Sequence, residues 1–204
     1  IPTDVLESKI ESEDVKRIKI NPPLAFPEKV NEVSNLLSSA KKPVLVVGGQ
    51  VHISTRSRKL VEKVAKAHNL PVLCTYEHQD IISNDSLHYA GELGLRPPEP
   101  IRKNALEADL VLVVGHRFNG VPNMAYKFPS SKQIFIHVIP DPNTIGKIFR
   151  TDMGIVADSE NFLDQLSKFS NNNTNNERNE WVKLCHYRYL NNDATVTPRN
   201  ANDG

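Results

Sequence analysis

Lys42-Pro43-Val44-Leu45-Val46-Val47-Gly48-Gly49-Gln50-Val51-His52-Ile53-Ser54-Thr55 is the stretch on which the reading of this chain turns. Four consecutive apolar residues, Val44 to Val47, read as a strand buried on both faces. The bracketing Pro43 and Gly48 favour that strand over a buried helical segment. Gly48-Gly49 then supplies a tight turn, because glycine reaches positive φ without a Cβ penalty. Ser54 or Thr55 can cap a following helix, in which Leu60, Val61, Val64 and Ala65 fall at helical spacing. Strand, glycine turn and helix make the first half of a βαβ unit. In an open parallel sheet such a turn can seat a nucleotide phosphate. The full G-x-G-x-x-G spacing is absent, so a phosphate seat and a plain structural turn both stay open.

Working outward from this unit, the same punctuation recurs. Upstream, residues 1–26 mix charged residues with Pro and Ile and carry no apolar stripe, the pattern of an extended linker over a surface. Pro27 to Ser39 reads as a helix with Val30, Val33, Leu36 and Leu37 on one side. Downstream, apolar runs at 71–75, 109–115, 133–139 and 153–156 read as further strands. Helical patterns cover Pro100 to Ala108 and the stretch after Ser159, where Phe162, Leu163, Leu166 and Phe169 share a face. Asp141 can cap a single turn ending near Gly146. Residues 76–98 read as an irregular loop facing a substrate or cofactor. Continuous apolar strands spaced by helices give an α/β fold with a parallel sheet covered on both faces.

The asparagine run 171–176 is low in complexity and reads as a flexible spacer. Trp181, Leu184 and Cys185 then recur at helical spacing in one more helix. It has too few local partners to cover its own tryptophan, which must pack on the main body or on another domain. Residues 171–204 are thus expected to be a spacer, one helix and a linker onward, with 27–170 as the folded domain.

Composition narrows the function classes. Among 204 residues, 25 Lys and Arg stand against 24 Asp and Glu, so a net charge of +1 leaves no footprint for nucleic acid or an anionic membrane. No apolar run approaches the roughly 18–20 residues of a membrane span. The two cysteines, Cys74 and Cys185, fit no metal or redox spacing and read as reduced thiols of a cytoplasmic protein. A hydrophobic share of 39%, with 14 prolines to 9 glycines, indicates linker within the chain. A start at Ile1 and a polar tail read as the ends of a piece of something longer.

Candidate site residues follow the strands, whose carboxyl ends converge on one crevice in this architecture. They are Gly48-Gly49-Gln50, Thr75-Tyr76, Gly115-His116-Arg117-Phe118-Asn119, Pro140-Asp141-Pro142 and Ala157-Asp158-Ser159. Arg117 offers a bidentate fork to a phosphate, or equally a salt bridge that buttresses the loops. Asp158 could accept from a ribose or adenine, but the N-cap of the following helix is the favoured reading. No His, Cys and carboxylate set has ligand spacing, so a metal site of the chain's own is not expected. No nucleophile elbow, H-E-x-x-H or Walker A motif is present.

The order of these pieces resembles the middle domain of thiamine-diphosphate-dependent enzymes, acetolactate synthase and its relatives above all. The residues that carry the likeness are Pro43-Val44-Leu45-Val46-Val47-Gly48-Gly49, Leu70-Pro71-Val72, the run from Ala105 through Gly115-His116-Arg117-Phe118, and Asp141-Pro142-Asn143-Thr144-Ile145-Gly146-Lys147. Ile1-Pro2-Thr3-Asp4-Val5 is similar to the segment leaving the family's pyrimidine-binding domain. The resemblance implies a Rossmann-like, six-stranded open parallel sheet set between pyrimidine- and diphosphate-binding domains of the same chain. It also implies a homodimeric or homotetrameric parent acting on 2-keto acids with thiamine diphosphate and Mg2+, the fragment alone being inactive. The family's middle domain holds FAD in the acetolactate synthase group, ADP in the oxalyl-CoA decarboxylase group and no nucleotide in pyruvate decarboxylases.

Carried onto this chain, the cofactor-contacting positions are Gly48, Gly49, the neighbouring Gln50, Gly91, Gly94, Gly115, Arg117, Phe118 and Asp158. Three departures count against FAD. Gln50 replaces the third glycine of the family's turn, Asn119-Gly120 replaces an Asp pair after Arg117-Phe118, and Ile139 stands where an acidic residue should accept from the adenosine half. A smaller ligand such as ADP, or none, is expected instead. No catalytic residue is expected within the chain. The alternative from a different class is a free-standing NAD(P)- or FAD-binding module of similar topology.

Overall fold

The computed structural model describes residues 2–9, 11, 16, 18, 21–52, 54–169 and 176–191. Within the amino-terminal segment, Thr3–Leu6 forms one helical turn (α1) where an extended path was expected. Then follow α2 (Pro27–Ser39), β1 (Pro43–Val47), α3 (Gly49–His52), α4 (Thr55–His68), β2 (Val72–Thr75), β3 (Tyr89–Leu93), α5 (Glu99–Leu106), β4 (Leu110–Val114), β5 (Ile134–Ile139), a 3-10 turn (Pro142–Thr144), β6 (Met153–Val156), α6 (Ser159–Leu166) and α7 (Asn176–Leu190). The asparagine spacer at 171–175 lies outside the described residues, while Asn176 already opens α7.

All six strands run parallel in the order β3-β2-β1-β4-β5-β6, the doubly wound arrangement in which the chain reverses direction between β1 and β4. Leu45 pairs with both Val72 and Leu112, and Leu112 with Ile136, so the central strands are in close register. Alternation of side chains explains why their sequences are apolar throughout. Leu45, Val47, Leu112, Val114, Ile136 and Val138 face a core built with α2, α4 and α6. Val44, Val46, Val111, Val113 and Phe135 face a second core with α5, Phe118, Phe128 and Trp181.

Besides α1, other elements depart from the sequence reading. Neither Gly48 nor Gly49 takes a positive φ, and Gly49 opens the helical turn α3 just after β1 instead of serving a left-handed turn. The loop expected over 76–98 contains the sixth strand, Tyr89–Leu93, at the sheet edge. Its Tyr-Ala-Gly-Glu-Leu sequence has neither alternation nor β-branched residues, and pairing with β2 overrides that weak propensity. Gly91 is required there: its φ is +106°, and a Cβ would come 2.4 Å from Ile101 Cδ1. The β4–β5 crossover, 115–133, contains no helix among its turns, although parallel strands are usually joined by one. Among the described residues no helix is long and apolar enough to cross a membrane.

The last helix packs on the main body. Trp181 is buried in the second core and its Nε1–H donates to Pro43 O at 3.0 Å. Asn104 Nδ2 donates to Cys185 O at 2.9 Å, and His186 Nδ1 to Tyr89 O at 2.9 Å. Both cysteines are free and buried, and burial pushes their thiols up, out of the reactive range.

Candidate functional site

The carboxyl ends of β1, β4 and β5 meet at one crevice. Gly48 N–H donates to Val114 O at 3.1 Å and Gly115 N–H to Val138 O at 3.0 Å, so the sheet ladder runs to the lip of the turn. Gly115 has φ +72°, a conformation glycine takes freely, and its carbonyl accepts from Gln50 N–H at 3.1 Å. The space left by the missing side chains is filled from within the protein. A Cβ on Gly48 would lie 2.4 Å from His116 Cβ, one on Gly49 2.7 Å from His78 Nε2, and one on Gly115 2.7 Å from Ser159 Oγ. The Gln50 side chain is exposed and its Oε1 accepts from Ser159 Oγ at 3.5 Å.

Helix α4 is capped by Ser54, whose Oγ accepts from Ser57 N–H at 3.0 Å. The positive end of that helix meets a carboxylate supplied by α6. Glu160 Oε2 accepts from Ser54 Oγ at 2.5 Å and from Ser57 Oγ at 2.6 Å, and its Oε1 pairs with Arg56 at 2.9 Å. These two serine hydroxyls, with Arg56 behind them, hold the Glu160 carboxyl below the usual carboxylate range. The place that a helix start offers to an anion is thus taken by an anion of the chain itself. Short-range patterning marks Glu160 only as an acidic residue in the first turn of α6. Its role comes from a contact 106 residues away in sequence.

The other positions divide between the crevice and the core. Asp158 caps α6, its Oδ1 accepting from Asn161 N–H at 2.9 Å, and its own N–H donates to Pro23 O at 2.8 Å. The cap reading holds for Asp158, and Ser159 is the first helical residue. Arg117 is exposed and lines a small cleft with Phe118, His137 and Thr144, a lining that includes no residue of the glycine turn. The Asp141 carboxyl is held low by Thr144 and Asn143 first, with a smaller contribution from Arg117. The Phe118 side chain is 1% exposed and points into the second core. Gly91 is packed on Ile101, whereas Gly94 borders a cleft of about 430 Å3 with Tyr76 and Glu92. Ile139 is buried at the end of β5 and offers no acceptor. The nine positions that the resemblance linked to a cofactor therefore do not converge on one seat.

Residues 30–166 match the family described as thiamine pyrophosphate enzyme, central domain. The chain belongs to this family. The central domain is 28% identical over 175 residues to a probable acetolactate synthase large subunit of Methanococcus aeolicus, covering 82% of this chain and 29% of that protein. It is 28% identical over 184 residues to sulfoacetaldehyde acetyltransferase of Roseovarius nubinhibens, covering 88% of this chain and 30% of the relative. Benzoylformate decarboxylase from Polynucleobacter necessarius superposes with a TM-score of 0.60 at 23% identity, over 86% of this chain and 33% of that one, a likeness of fold. The chain spans about a third of the length of the curated relatives it matches. These relatives lend no support to a free-standing NAD(P)- or FAD-binding module.

In this central domain, no group of three or more His, Cys, Asp or Glu among the described residues could hold a metal ion. His116 and His78 pack over the glycine turn, and His137 on β5 bonds to the first of them. His137 Nε2–H donates to His116 O at 2.8 Å, and His116 Nδ1 accepts from Phe118 N–H at 2.8 Å. Burial, then the charges of His78 and His137, push the His116 imidazole down to about 4. The unfolded chain takes up that proton near pH 6.5, while the folded one refuses it until about pH 4. Stability therefore rises with pH across this window, by up to about 1.4 kcal/mol per pH unit for one such group. His116→Asn, whose side-chain oxygen can take the place of the accepting Nδ1, is expected to flatten the slope between pH 5 and pH 7 in urea unfolding. An unchanged slope would show that the ring is not held neutral.

Proposed function

We propose that this central domain belongs to a longer thiamine-diphosphate-dependent enzyme acting on 2-keto acids, and that its glycine turn seats no nucleotide diphosphate. The first half rests on the family match and on the names of the relatives. A chain spanning about a third of those relatives leaves room for pyrimidine- and diphosphate-binding domains in the same polypeptide. Those domains would hold thiamine diphosphate and Mg2+, as the family match implies for the parent protein. The thiamine cofactor supplies the nucleophilic carbon for making or breaking a bond beside the keto group. The present chain contributes a rigid sheet that spaces and orients its neighbours, within a cytoplasmic homodimer or homotetramer.

The second half rests on one observation, the Glu160 carboxylate at the start of α4. A diphosphate reaching for the α4 start would find the Ser54 and Ser57 hydroxyls already donated to that carboxylate. It would also find Gln50 N–H already bonded to Gly115 O, and His116 and His78 packed over Gly48 and Gly49. FAD and ADP are disfavoured there alike, FAD doubly so because Ile139 cannot accept from its adenosine half.

One set of preparations tests the reading. The purified 204-residue chain, supplied with thiamine diphosphate and Mg2+, is expected to turn over no pyruvate. A polypeptide extended through its flanking domains is expected to consume a 2-keto acid. The short chain should also be colourless and give no saturable heat with ADP or FAD in calorimetry. Turnover by the short chain would overturn the first half, and a yellow protein with stoichiometric FAD the second.

A further inference from the structure

The helix-free crossover leaves a groove on the second face of the sheet. It lies between α5 and residues 120–127, encloses about 820 Å3, and is distinct from the glycine crevice. That volume is within the roughly 300–1,000 Å3 of small-molecule sites. Its floor is apolar: Leu95 is 70% exposed and Leu106 48%, with Val121 and Met124 beside them. The crossover wall is preformed, because buried Asn123 ties it down on both sides. Asn123 Nδ2 donates to Phe118 O at 3.1 Å, and its Oδ1 accepts from Tyr126 N–H at 2.9 Å.

The rim is electrostatically one-sided. Arg96, Arg102, Lys103 and Lys127 line it against the single carboxylate of Glu99. Glu99 is bonded to Lys103 at 3.1 Å and also feels Arg102, so its charge is already answered. Among the described residues, Arg96, Arg102 and Lys127 have no carboxylate within ion-pair distance. This concentration of cations stands out on a chain whose net charge is only +1. An apolar trough favours a hydrocarbon or aromatic body, and a cationic rim favours a carboxylate or phosphate head.

We infer that this groove binds a small amphipathic anion, with its apolar body on Leu95, Leu106 and Met124 and its anionic head at Arg96, Arg102 and Lys127. A polyanion such as a nucleic acid backbone would use the rim but leave the apolar floor unsatisfied, and so fits less well.

Calorimetry with sodium dodecanoate, kept below its micelle-forming concentration, tests this on the 204-residue chain. One saturable site per chain is expected. Dodecyltrimethylammonium, which shares the tail but reverses the head, should bind at least about tenfold more weakly, as should inorganic pyrophosphate, which lacks the tail. The double variant Arg102→Glu with Lys127→Glu should weaken dodecanoate at least about tenfold, the scale of one lost charge-assisted contact. Both residues are exposed, so the thermal midpoint should hold, which separates lost binding from lost folding. Absence of a saturable site would overturn the inference. Equal binding of the cationic surfactant, pyrophosphate binding as tight as dodecanoate, or an unaffected double variant would each do the same.

Discussion

Replacing Arg178 by methionine is expected to lower the stability of the folded chain by roughly 3 kcal/mol, the scale of one or two lost hydrogen bonds from a charged donor. Arg178 lies on α7 and is only 4% exposed. Its Nη1 donates to His68 O at 3.1 Å and its Nη2 to Leu37 O at 2.7 Å, with a further short bond from Nη2 to Ala40 O. Those carbonyls are the orphaned acceptors at the ends of α2 and α4, where the negative end of each helix dipole also lies. A single guanidinium therefore closes two helices and ties the last helix to both. The loss stays below the sum of three bonds, because the variant also removes a cation whose burial is unfavourable in itself. For a chain of this length the thermal midpoint should fall by about 6–12 °C. Arg178→Lys should recover less than half, since one ammonium cannot span three carbonyls with the geometry of a planar fork. Urea midpoints of the three proteins decide the matter. An unchanged midpoint for Arg178→Met would show that α7 is not clamped to the domain through this residue.

Arg178 also marks where reading the sequence stops. Local patterns sufficed for the central strands and for α2, α4 and α6, and they placed the caps of α4 and α6 to within one residue, because apolar runs and capping residues act within a few positions of one another. They did not suffice for β3, whose pairing with β2 is a tertiary contact, nor for Glu160, which acts on a helix more than a hundred residues upstream. Gly48, Gly49 and Gly115 looked open to a ligand because a glycine only records that a side chain is excluded. It does not say whether a phosphate, His116, His78 or Ser159 fills the space. Gln50 and Ile139 were different. Each departs from the family's pattern at its own position, so the expectation against FAD could be formed without the fold.

Phe118→Ala should cost about 3–5 kcal/mol, the usual range for deleting a buried phenyl ring. The family resemblance places this residue against a cofactor, whereas its ring meets Phe128 at 5.6 Å, Phe135 at 5.8 Å and Phe149 at 6.2 Å between centroids. The backbone explains the difference. Phe118 has φ +54°, and that left-handed turn is held by its N–H on His116 Nδ1 and its carbonyl on Asn123 Nδ2. A side chain leaving such a turn at the end of β4 is directed under the crossover rather than out into the crevice. Alanine retains the same backbone strain, so the measured loss reports packing alone. Leucine, which keeps most of the apolar volume, should cost less than about 1.5 kcal/mol. The comparison is made on the chain without any nucleotide. If Phe118 served only as a ligand contact, alanine would leave the urea midpoint of that chain where it was. A large loss for alanine and a small one for leucine would instead establish Phe118 as the residue that closes the second core beneath the helix-free crossover.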